Sequence, residues 1–377
     1  MYRLTEPPEA RLEVFFNHAK KSITDRIGAW LNDQIKNVEV PCRSKYLKLK
    51  AKVESGGLTE QFLRYYQTED HLKELMLGKM GDFVQIIRNL KTKAAKLKYP
   101  EEYVFSNMKV KDYEKYENGG KKLTATVTKD FDHFNTIISD IFLNYGYDGK
   151  DGKGNVVFDK SAFVKMLNLR ICPYCGRSFI YSVQHSEHKT VVKPQIDHFL
   201  PKSVYPFFAL SFMNLIPSCQ TCNMKDCKGN HDTVQIDLAD VKYFIQYPYE
   251  FDGRKIKFEY LLEGTAYNKD DNFGVGVDYL GDKHLKKGYN AYLKTEEFYK
   301  FHHVEVAGMY RQMMILASKA RLFYENLGIK KIWLEPTPMM ILGFNFSDDN
   351  EGRYMLYKFK KDIFVQMMNG EVGKMFK

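Results

Sequence analysis

Four cysteines near the middle of the chain stand in two identical pairs. Cys172 and Cys175 form one C-x-x-C pair, and Cys219 and Cys222 form a second pair after 43 intervening residues. Each C-x-x-C turn points two thiolates at one ion, and two such turns complete a tetrahedral four-cysteine zinc site. The spacing therefore predicts a structural Zn²⁺ bound by these four residues.

An acid and a histidine lie side by side between the two pairs. In "IDHFLPKS", Asp197 directly precedes His198. A divalent ion stabilises a leaving oxyanion, and a neutral imidazole of pKa about 6.5 takes a proton from an attacking water. These residue types therefore suit metal-assisted chemistry, and a zinc-stapled structural module is the alternative. Because adjacent side chains of a strand point to opposite faces, a local bend is needed to bring both to one site, and the "FLPKS" turn could supply it.

The motifs "CPYCG", "IDHFLPKS", "NLIPSC" and "CNMK" together resemble the HNH endonuclease family. The ββα-metal fold of that family is often held together by two such zinc knuckles. The resemblance runs from Ile171 to Lys228, so it concerns only a central module of the 377-residue chain.

The resemblance implies a role for each matching residue. His198 would be the general base, and Asp197 and Asn223 would hold a catalytic Mg²⁺ or Mn²⁺. Asn214 would hold the loop that carries His198 in place by hydrogen bonds. Many family members have a histidine where this chain has Asn223, and an amide oxygen suits a hard ion such as Mg²⁺. Lys225 is a candidate contact to the scissile phosphate, and a solvated lysine at a helix start is the equal alternative.

The charge of the chain suits a polyanionic partner. There are 57 Lys and Arg against 47 Asp and Glu, a formal net charge of +10. Neutralising phosphates releases counterions, which favours nucleic-acid binding. The HNH resemblance implies DNA, expected to be double-stranded, as the partner. The basic run from Arg88 to Lys98 is a candidate DNA-contacting helix face, with a solvated face as the default interpretation.

The regions outside the central module are similar in layout to bacterial anti-phage HNH proteins of the Septu type. The similarity lies in the helical segment "YLKTEEFYKFHHVEVAGMYRQMM" and in "FIQYPYEF". In those systems the nuclease works with an ATPase partner of the ABC/SMC kind. The resemblance therefore implies a role in defence and a partner of that kind.

Hydrophobic periodicity predicts an α+β protein that is mostly helical. The expected organisation is a helical N-terminal region over 1–160, a ββα-metal module with the four-cysteine zinc site over 161–235, and a mostly helical C-terminal region over 236–377. Apolar stripes predict helices over 11–35, 130–145 and 290–327. We expect Thr59 to cap a helix, Gly370 to stop the last one, residues 144–155 to form a surface turn, and residues 242–264 to be irregular.

The chain shows no secretory signal and no apolar run of about 18 residues, so a cytoplasmic protein without a membrane span is expected. In that reducing compartment, cysteines serve as metal ligands or isolated buried thiols rather than in disulfides. The remaining cysteines and most of the remaining histidines are expected to be ordinary packing or surface residues: Cys42, Cys227, His185, His188, His231, His302 and His303.

Two alternatives to DNA cleavage stay open. A non-catalytic zinc-stapled module that binds nucleic acid or protein would bind without turnover in every divalent ion. An HNH ribonuclease would use the same chemistry on RNA. No motif of the sequence indicates a contact to the 2′-hydroxyl, the group by which a protein distinguishes RNA from DNA.

Overall fold

The structure is a computed structural model with an α+β fold. It describes residues 1–41, 46–99, 134–181, 183–184, 190–192, 195–237, 239–263, 269–328, 337–347 and 352–376. Among these residues, no helix combines the length and the apolar character that crossing a membrane requires. Cys42, His185 and His188 lie outside the described residues.

Over its described residues, the N-terminal region is mostly helical. In the first helix, the predicted stripe of Phe16, Ile23 and Ile27 is buried. A two-stranded antiparallel sheet separates this helix from the next. The elements are α1 (Glu9–Leu31), β1 (Asn37–Pro41), β2 (Tyr46–Lys50), α2 (Leu58–Tyr66), α3 (Glu69–Leu77), α4 (Met80–Lys96) and α5 (Phe134–Ile138), which continues as a π-helix over Ser139–Tyr147.

The predicted helix cap at Thr59 is wrong. The helix begins at Leu58 with Gly57 in the capping position, and Thr59 lies inside the helix. The Thr59 side chain is fully buried, so it packs in the core and does not cap the helix. The segment after Thr59 forms two helices, α2 and α3, because the backbone of Thr68 is extended with ψ 146°.

The central region contains one short helix and two hairpins. Asp159 caps the helix by accepting hydrogen bonds from the amides of Ser161 and Ala162. Strands β5 and β6 pair antiparallel, with His198 opposite Leu215. The elements are α6 (Lys160–Leu167), β3 (Val183–Gln184), β4 (Thr190–Val192), β5 (Gln195–His198), β6 (Leu215–Ser218) and two 3-10 turns, Pro206–Phe208 and Phe212–Asn214.

The helix expected to follow the second strand of a ββα module is not formed in the described residues. Residues 220–230 are a series of turns. The amide of Asn223 binds the Cys219 carbonyl at 3.1 Å, and the amide of Lys228 binds the Cys222 carbonyl at 3.1 Å. Gly229, with φ +37°, turns the chain away after Lys228. The segment is therefore wound around the second cysteine pair, and Lys225 does not begin a helix.

The C-terminal region is helical around two hairpins, and the expectation of an irregular 242–264 holds only for residues 244–256. The segment begins in β8, which pairs with β7, and its last part forms β9. In β9, α11 provides partners for an otherwise open strand edge: Gln366 exchanges two side-chain hydrogen bonds with the backbone of Tyr260. The elements are β7 (Val234–Ile236), β8 (Val241–Tyr243), β9 (Lys257–Leu262), β10 (Phe273–Asp278), α7 (Lys283–Tyr292), α8 (Thr295–Lys300), α9 (His303–Asn326), α10 (Pro338–Leu342), α11 (Tyr357–Asn369) and α12 (Glu371–Lys374).

One continuous hydrophobic cluster joins the three regions. Phe15 of α1 packs edge-on against Phe212, just before β6, with ring centroids 5.1 Å apart. The central hairpin is therefore supported directly by the N-terminal helices. The helix predicted over 290–327 is present as α7 to α9 with two breaks, and the last long helix ends at Gly370 as predicted.

Candidate functional site

The four paired cysteines converge on one point in the structure. Their Sγ atoms all lie within 4.8 Å of one another, and all four side chains are buried. The Cys175 and Cys219 sulfurs are 3.9 Å apart. A tetrahedral zinc ion with Zn–S distances of about 2.3 Å separates its sulfurs by about 3.8 Å. The donor set and its spacing fit a structural metal ion such as zinc, and none of the five cysteines in the described residues is in a disulfide.

The backbone around each pair has the form of a knuckle. Gly176 adopts φ +64°, which a side chain would strain, and its amide binds the Cys172 carbonyl at 2.8 Å. The amides of Arg177 and Cys222 donate to the sulfurs of Cys175 and Cys219, both at 3.4 Å. Such bonds favour the thiolate form that a metal ion needs.

Asp197 is held on the side of β5 that faces the two knuckles. The Tyr174 hydroxyl, from within the first cysteine pair, donates to Asp197 Oδ2 at 2.5 Å. The Lys228 ammonium, from beyond the second pair, lies 3.2 Å from Oδ2 and 3.3 Å from Oδ1. Burial raises the pKa of Asp197, while Lys228 and Tyr174 act in the opposite direction. Both carboxylate oxygens therefore have partners, and the pair is closed to solvent.

His198 is held by its Nε2 atom, which lies 3.1 Å from the Ala209 carbonyl oxygen. A carbonyl only accepts hydrogen bonds, so Nε2 carries the proton and Nδ1 is the basic nitrogen. Among the described residues, Nδ1 has no hydrogen-bond partner. Burial, followed by the charge of Lys202, lowers the pKa of His198 well below its usual value. The imidazole is therefore neutral at neutral pH, which is the form a general base requires.

Asn214 is fully buried and binds the backbone of the loop that follows His198. Its Oδ1 accepts from the Leu200 amide at 2.7 Å. Its Nδ2 donates to the carbonyls of Leu200 and Phe208, both at 3.1 Å. The side chain therefore ties both ends of the loop together, and the second tie lies next to Ala209, the partner of His198.

Asn223 and Lys225 lie at the surface of the turn segment after β6. The Asn223 amide nitrogen donates to Gln195 Oε1 at 3.0 Å, which leaves the amide oxygen outside this bond. The Lys225 side chain is exposed, and its carbonyl accepts from His231 Nε2 at 3.2 Å. Asn223 therefore contacts the first residue of β5, two positions before Asp197.

The chain has two curated relatives of partial coverage. Over 84 residues it is 36% identical to the Septu protein PtuB of Bacillus thuringiensis, covering 21% of this chain and 28% of that protein. It is 35% identical over 78 residues to protein ea31 of Escherichia phage lambda, covering 21% of this chain and 20% of ea31. The chain thus spans less than a third of the length of either relative. No protein-family profile and no solved structure matches it.

The match to PtuB supports the Septu link that the layout of the chain indicated. The HNH resemblance and the roles that it implies stay predictions.

Two residues that hold Asp197 were missed from the sequence. Tyr174 has a local signal, because it stands between the two cysteines of the first knuckle. Lys228 has none, since "CNMKDCKGN" offers Lys225 and Lys228 as equivalent lysines. Only the fold distinguishes them: the Lys228 side chain is 0% exposed, whereas Lys225 points to solvent.

The other residues considered from the sequence have ordinary contacts. Cys227 is buried outside the four-cysteine cluster. His302 and His303 make local hydrogen bonds to Glu305 and to the Lys300 carbonyl. In the basic run, Arg88 and Lys91 bind the carbonyls of Asp237 and Ile236, and the remaining lysines lie on an exposed face: Lys93, Lys96 and Lys98.

Proposed function

We propose that this protein is a metal-dependent HNH-type endonuclease that cuts DNA as the effector of a Septu-type anti-phage defence system. Its structural Zn²⁺ would be bound by the four cysteines, and its catalytic Mg²⁺ or Mn²⁺ by Asp197 and Asn223. The match to PtuB supports the defence role, and the HNH motifs support the chemistry.

The observation that carries the nuclease proposal is the state of His198. Its Nε2 atom is fixed by the Ala209 carbonyl, which leaves Nδ1 as the unprotonated nitrogen that can take a proton from water. A buried imidazole held in this way suits a general base more than a packing residue, because a packing histidine gains by satisfying both ring nitrogens. The bonds from Asn214 to the loop support the same assignment, since one of them holds Phe208, the residue before the Ala209 carbonyl that orients the ring.

The donor atoms of Asp197 and Asn223 suit a hard divalent ion. When bound, such an ion would stabilise the negative charge on the phosphate and on the leaving oxygen. The ammonium of Lys228 now lies against the Asp197 carboxylate, where such an ion would bind. An ion at Asp197 therefore requires Lys228 to withdraw, since two cations cannot share that buried position.

Plasmid cleavage in Mg²⁺ or Mn²⁺ tests the nuclease proposal. We expect the wild type to cut, and His198→Ala to be slower by about 10²- to 10⁴-fold because the general base is lost. His231→Ala is the matched control, because that histidine is exposed and bound only through Nε2. Equal cutting by His198→Ala and wild type, at equal folded fraction, would show that His198 is not the base.

Parallel incubation with labelled tRNA and duplex DNA separates DNA cleavage from the ribonuclease alternative. The defence proposal is tested by phage plating with wild type and His198→Ala expressed beside the neighbouring genes. A partner of the ABC/SMC ATPase kind is expected to co-purify. If cells expressing His198→Ala resist phage as well as cells expressing the wild type, defence does not depend on His198.

A second candidate is a non-catalytic zinc-stapled binding module. One observation favours it: Tyr174 and Lys228 satisfy both oxygens of Asp197, so the carboxylate is engaged without a divalent ion. This candidate predicts nucleic-acid or protein binding without cleavage in any divalent ion.

A further inference from the structure

A cationic cluster packs against His198. We name it the Tyr147 cluster; it consists of Tyr147, Asp148, Lys160 and Lys202. The Tyr147 ring lies 4.6 Å from the His198 ring, centroid to centroid. The ammonium groups of Lys160 and Lys202 lie 4.3 and 4.9 Å from the centre of the same phenol ring. Both lysines and the imidazole are therefore gathered around one aromatic side chain.

Three separate elements bring the cluster together, and each is fixed locally. Tyr147 is the last residue of the π-helix, and Asp148 follows it. Lys160 is the first residue of α6, which Asp159 caps. Lys202 follows Pro201, whose carbonyl accepts from the amides of Val204 and Tyr205 at 2.9 and 2.8 Å. The cluster is thus built on anchored backbone.

The cluster has an excess of positive charge. Asp148 pairs with Lys160 at 2.8 Å and with Lys202 at 3.7 Å, so two ammonium groups share one carboxylate. These side chains are partly open to solvent, with exposed fractions of 34% for Lys160, 32% for Lys202 and 47% for Asp148. A second anion can therefore reach the lysines. Cations on an aromatic face keep their charge available on the outer side, because the ring stabilises without neutralising them.

We propose that Lys160 and Lys202 bind a phosphodiester group of the nucleic-acid substrate beside His198. The two ammonium groups donate to its non-bridging oxygens, Tyr147 is the platform that holds them together, and Asp148 is the internal carboxylate that the phosphate displaces. A phosphate in this position lies on the same side of β5 as the His198 ring. The proposal rests on the nuclease function proposed above, to which it adds the contact that orients the substrate.

Duplex binding by a non-cleaving protein tests the proposal independently of catalysis. Fluorescence anisotropy of a short labelled DNA duplex, without added Mg²⁺ or Mn²⁺, is measured with zinc-loaded His198→Ala and with the same protein carrying Lys160→Met and Lys202→Met. We expect affinity to fall by about tenfold or more, and the slope of log K against log salt to decrease by about 1 to 2. Lys150→Met with Lys153→Met is the matched control, since both lysines are exposed nearby and outside the cluster.

An opposite effect is expected from Asp148→Asn. Removing the competing carboxylate frees both lysines, so duplex affinity should rise by a few-fold with the fold intact. Lys160→Arg with Lys202→Arg retains both charges and should retain most of the affinity. Affinity losses equal to those of the Lys150/Lys153 control, or weaker binding in Asp148→Asn, would overturn the proposal.

Failure of the nuclease proposal gives a different pattern. A wild type that cuts no nucleic acid, yet binds duplex through Lys160 and Lys202, keeps the phosphate site and excludes the reaction. A wild type that cuts through His198, with binding indifferent to the two lysines, keeps the reaction and excludes the site.

Discussion

The surroundings of Asp197 and of His198, called here the closed face and the open face of the site, differ in how they hold charge. On the Asp197 face, the carboxylate and the Lys228 ammonium form an ion pair whose side chains are 2% and 0% exposed. On the His198 face, Asp148, Lys160 and Lys202 form a shared ion pair that is about one-third to one-half open to solvent. A buried pair is costly to separate, whereas an exposed pair exchanges partners readily. Asp197 thus belongs to a buried ion pair, whereas His198, the next residue, lies beside an open, cationic surface.

The closed face depends on the four cysteines, because Tyr174 and Lys228 both come from the knuckles. Replacing Cys172 with Ser should therefore have the largest effect. Apparent binding free energies for structural zinc are about 10–16 kcal/mol, so we expect loss of the metal and unfolding of the central module. Metal content by mass spectrometry and thermal unfolding measure both effects.

Cys227→Ser is the matched control for that experiment, because Cys227 is equally buried but lies outside the cluster. It should retain one equivalent of zinc and most of the stability. A Cys172→Ser protein that still binds a full equivalent would contradict the four-cysteine assignment.

The ion pair itself comes next in size. Lys228→Met leaves Asp197 charged and buried without its partner, which should cost about 3–5 kcal/mol of unfolding free energy. Lys228→Met combined with Asp197→Asn should cost less than the first change alone, since no uncompensated charge remains. Urea denaturation of the zinc-loaded protein, without added Mg²⁺ or Mn²⁺, measures both variants, and strictly additive losses would show that the two groups do not interact.

Divalent ions sharpen this comparison. If Asp197 binds the catalytic ion, Mg²⁺ should restore part of the stability lost in Lys228→Met, because it takes the position of the ammonium. The same ion should do little for Lys228→Met with Asp197→Asn. Equal responses of both variants would argue that the ion binds elsewhere.

The extent to which this site could be predicted depends on sequence distance. The cysteine cluster follows from two local turns, and the stripe in α1 follows from the 3.6-residue period, so both were predicted. The turns after β6 were not, because their amides bind the cysteine knuckle in place of a helix. The Tyr147 cluster joins residues up to 55 positions apart, and only the packing of α6 and the π-helix against β5 brings them together.

On the open face, Asn214 binds the Phe208 carbonyl, next to Ala209, whose own carbonyl holds His198. Asn214→Ala leaves the buried amide and carbonyl of Leu200 without partners, which should cost about 2–4 kcal/mol. Asn223→Ala is the comparison, because Asn223 is partly exposed and makes one side-chain bond to Gln195. It should cost less than about 1 kcal/mol. Chemical denaturation measures both changes, and equal losses would contradict a special role for Asn214.

The smallest expected effect concerns a single hydroxyl on the closed face. Tyr174→Phe removes the 2.5 Å hydrogen bond to Asp197 Oδ2 and keeps the ring, so the carboxylate loses one of its partners. We expect a loss of about 1–2 kcal/mol, since Lys228 still binds both oxygens. Tyr249→Phe is the matched control: its hydroxyl is equally buried but has no hydrogen-bond partner among the described residues. Removing an unsatisfied buried hydroxyl should leave stability unchanged or raise it slightly. If Tyr174→Phe is as stable as Tyr249→Phe, the hydroxyl of Tyr174 contributes nothing measurable, and Lys228 is the partner that stabilises the buried Asp197 carboxylate.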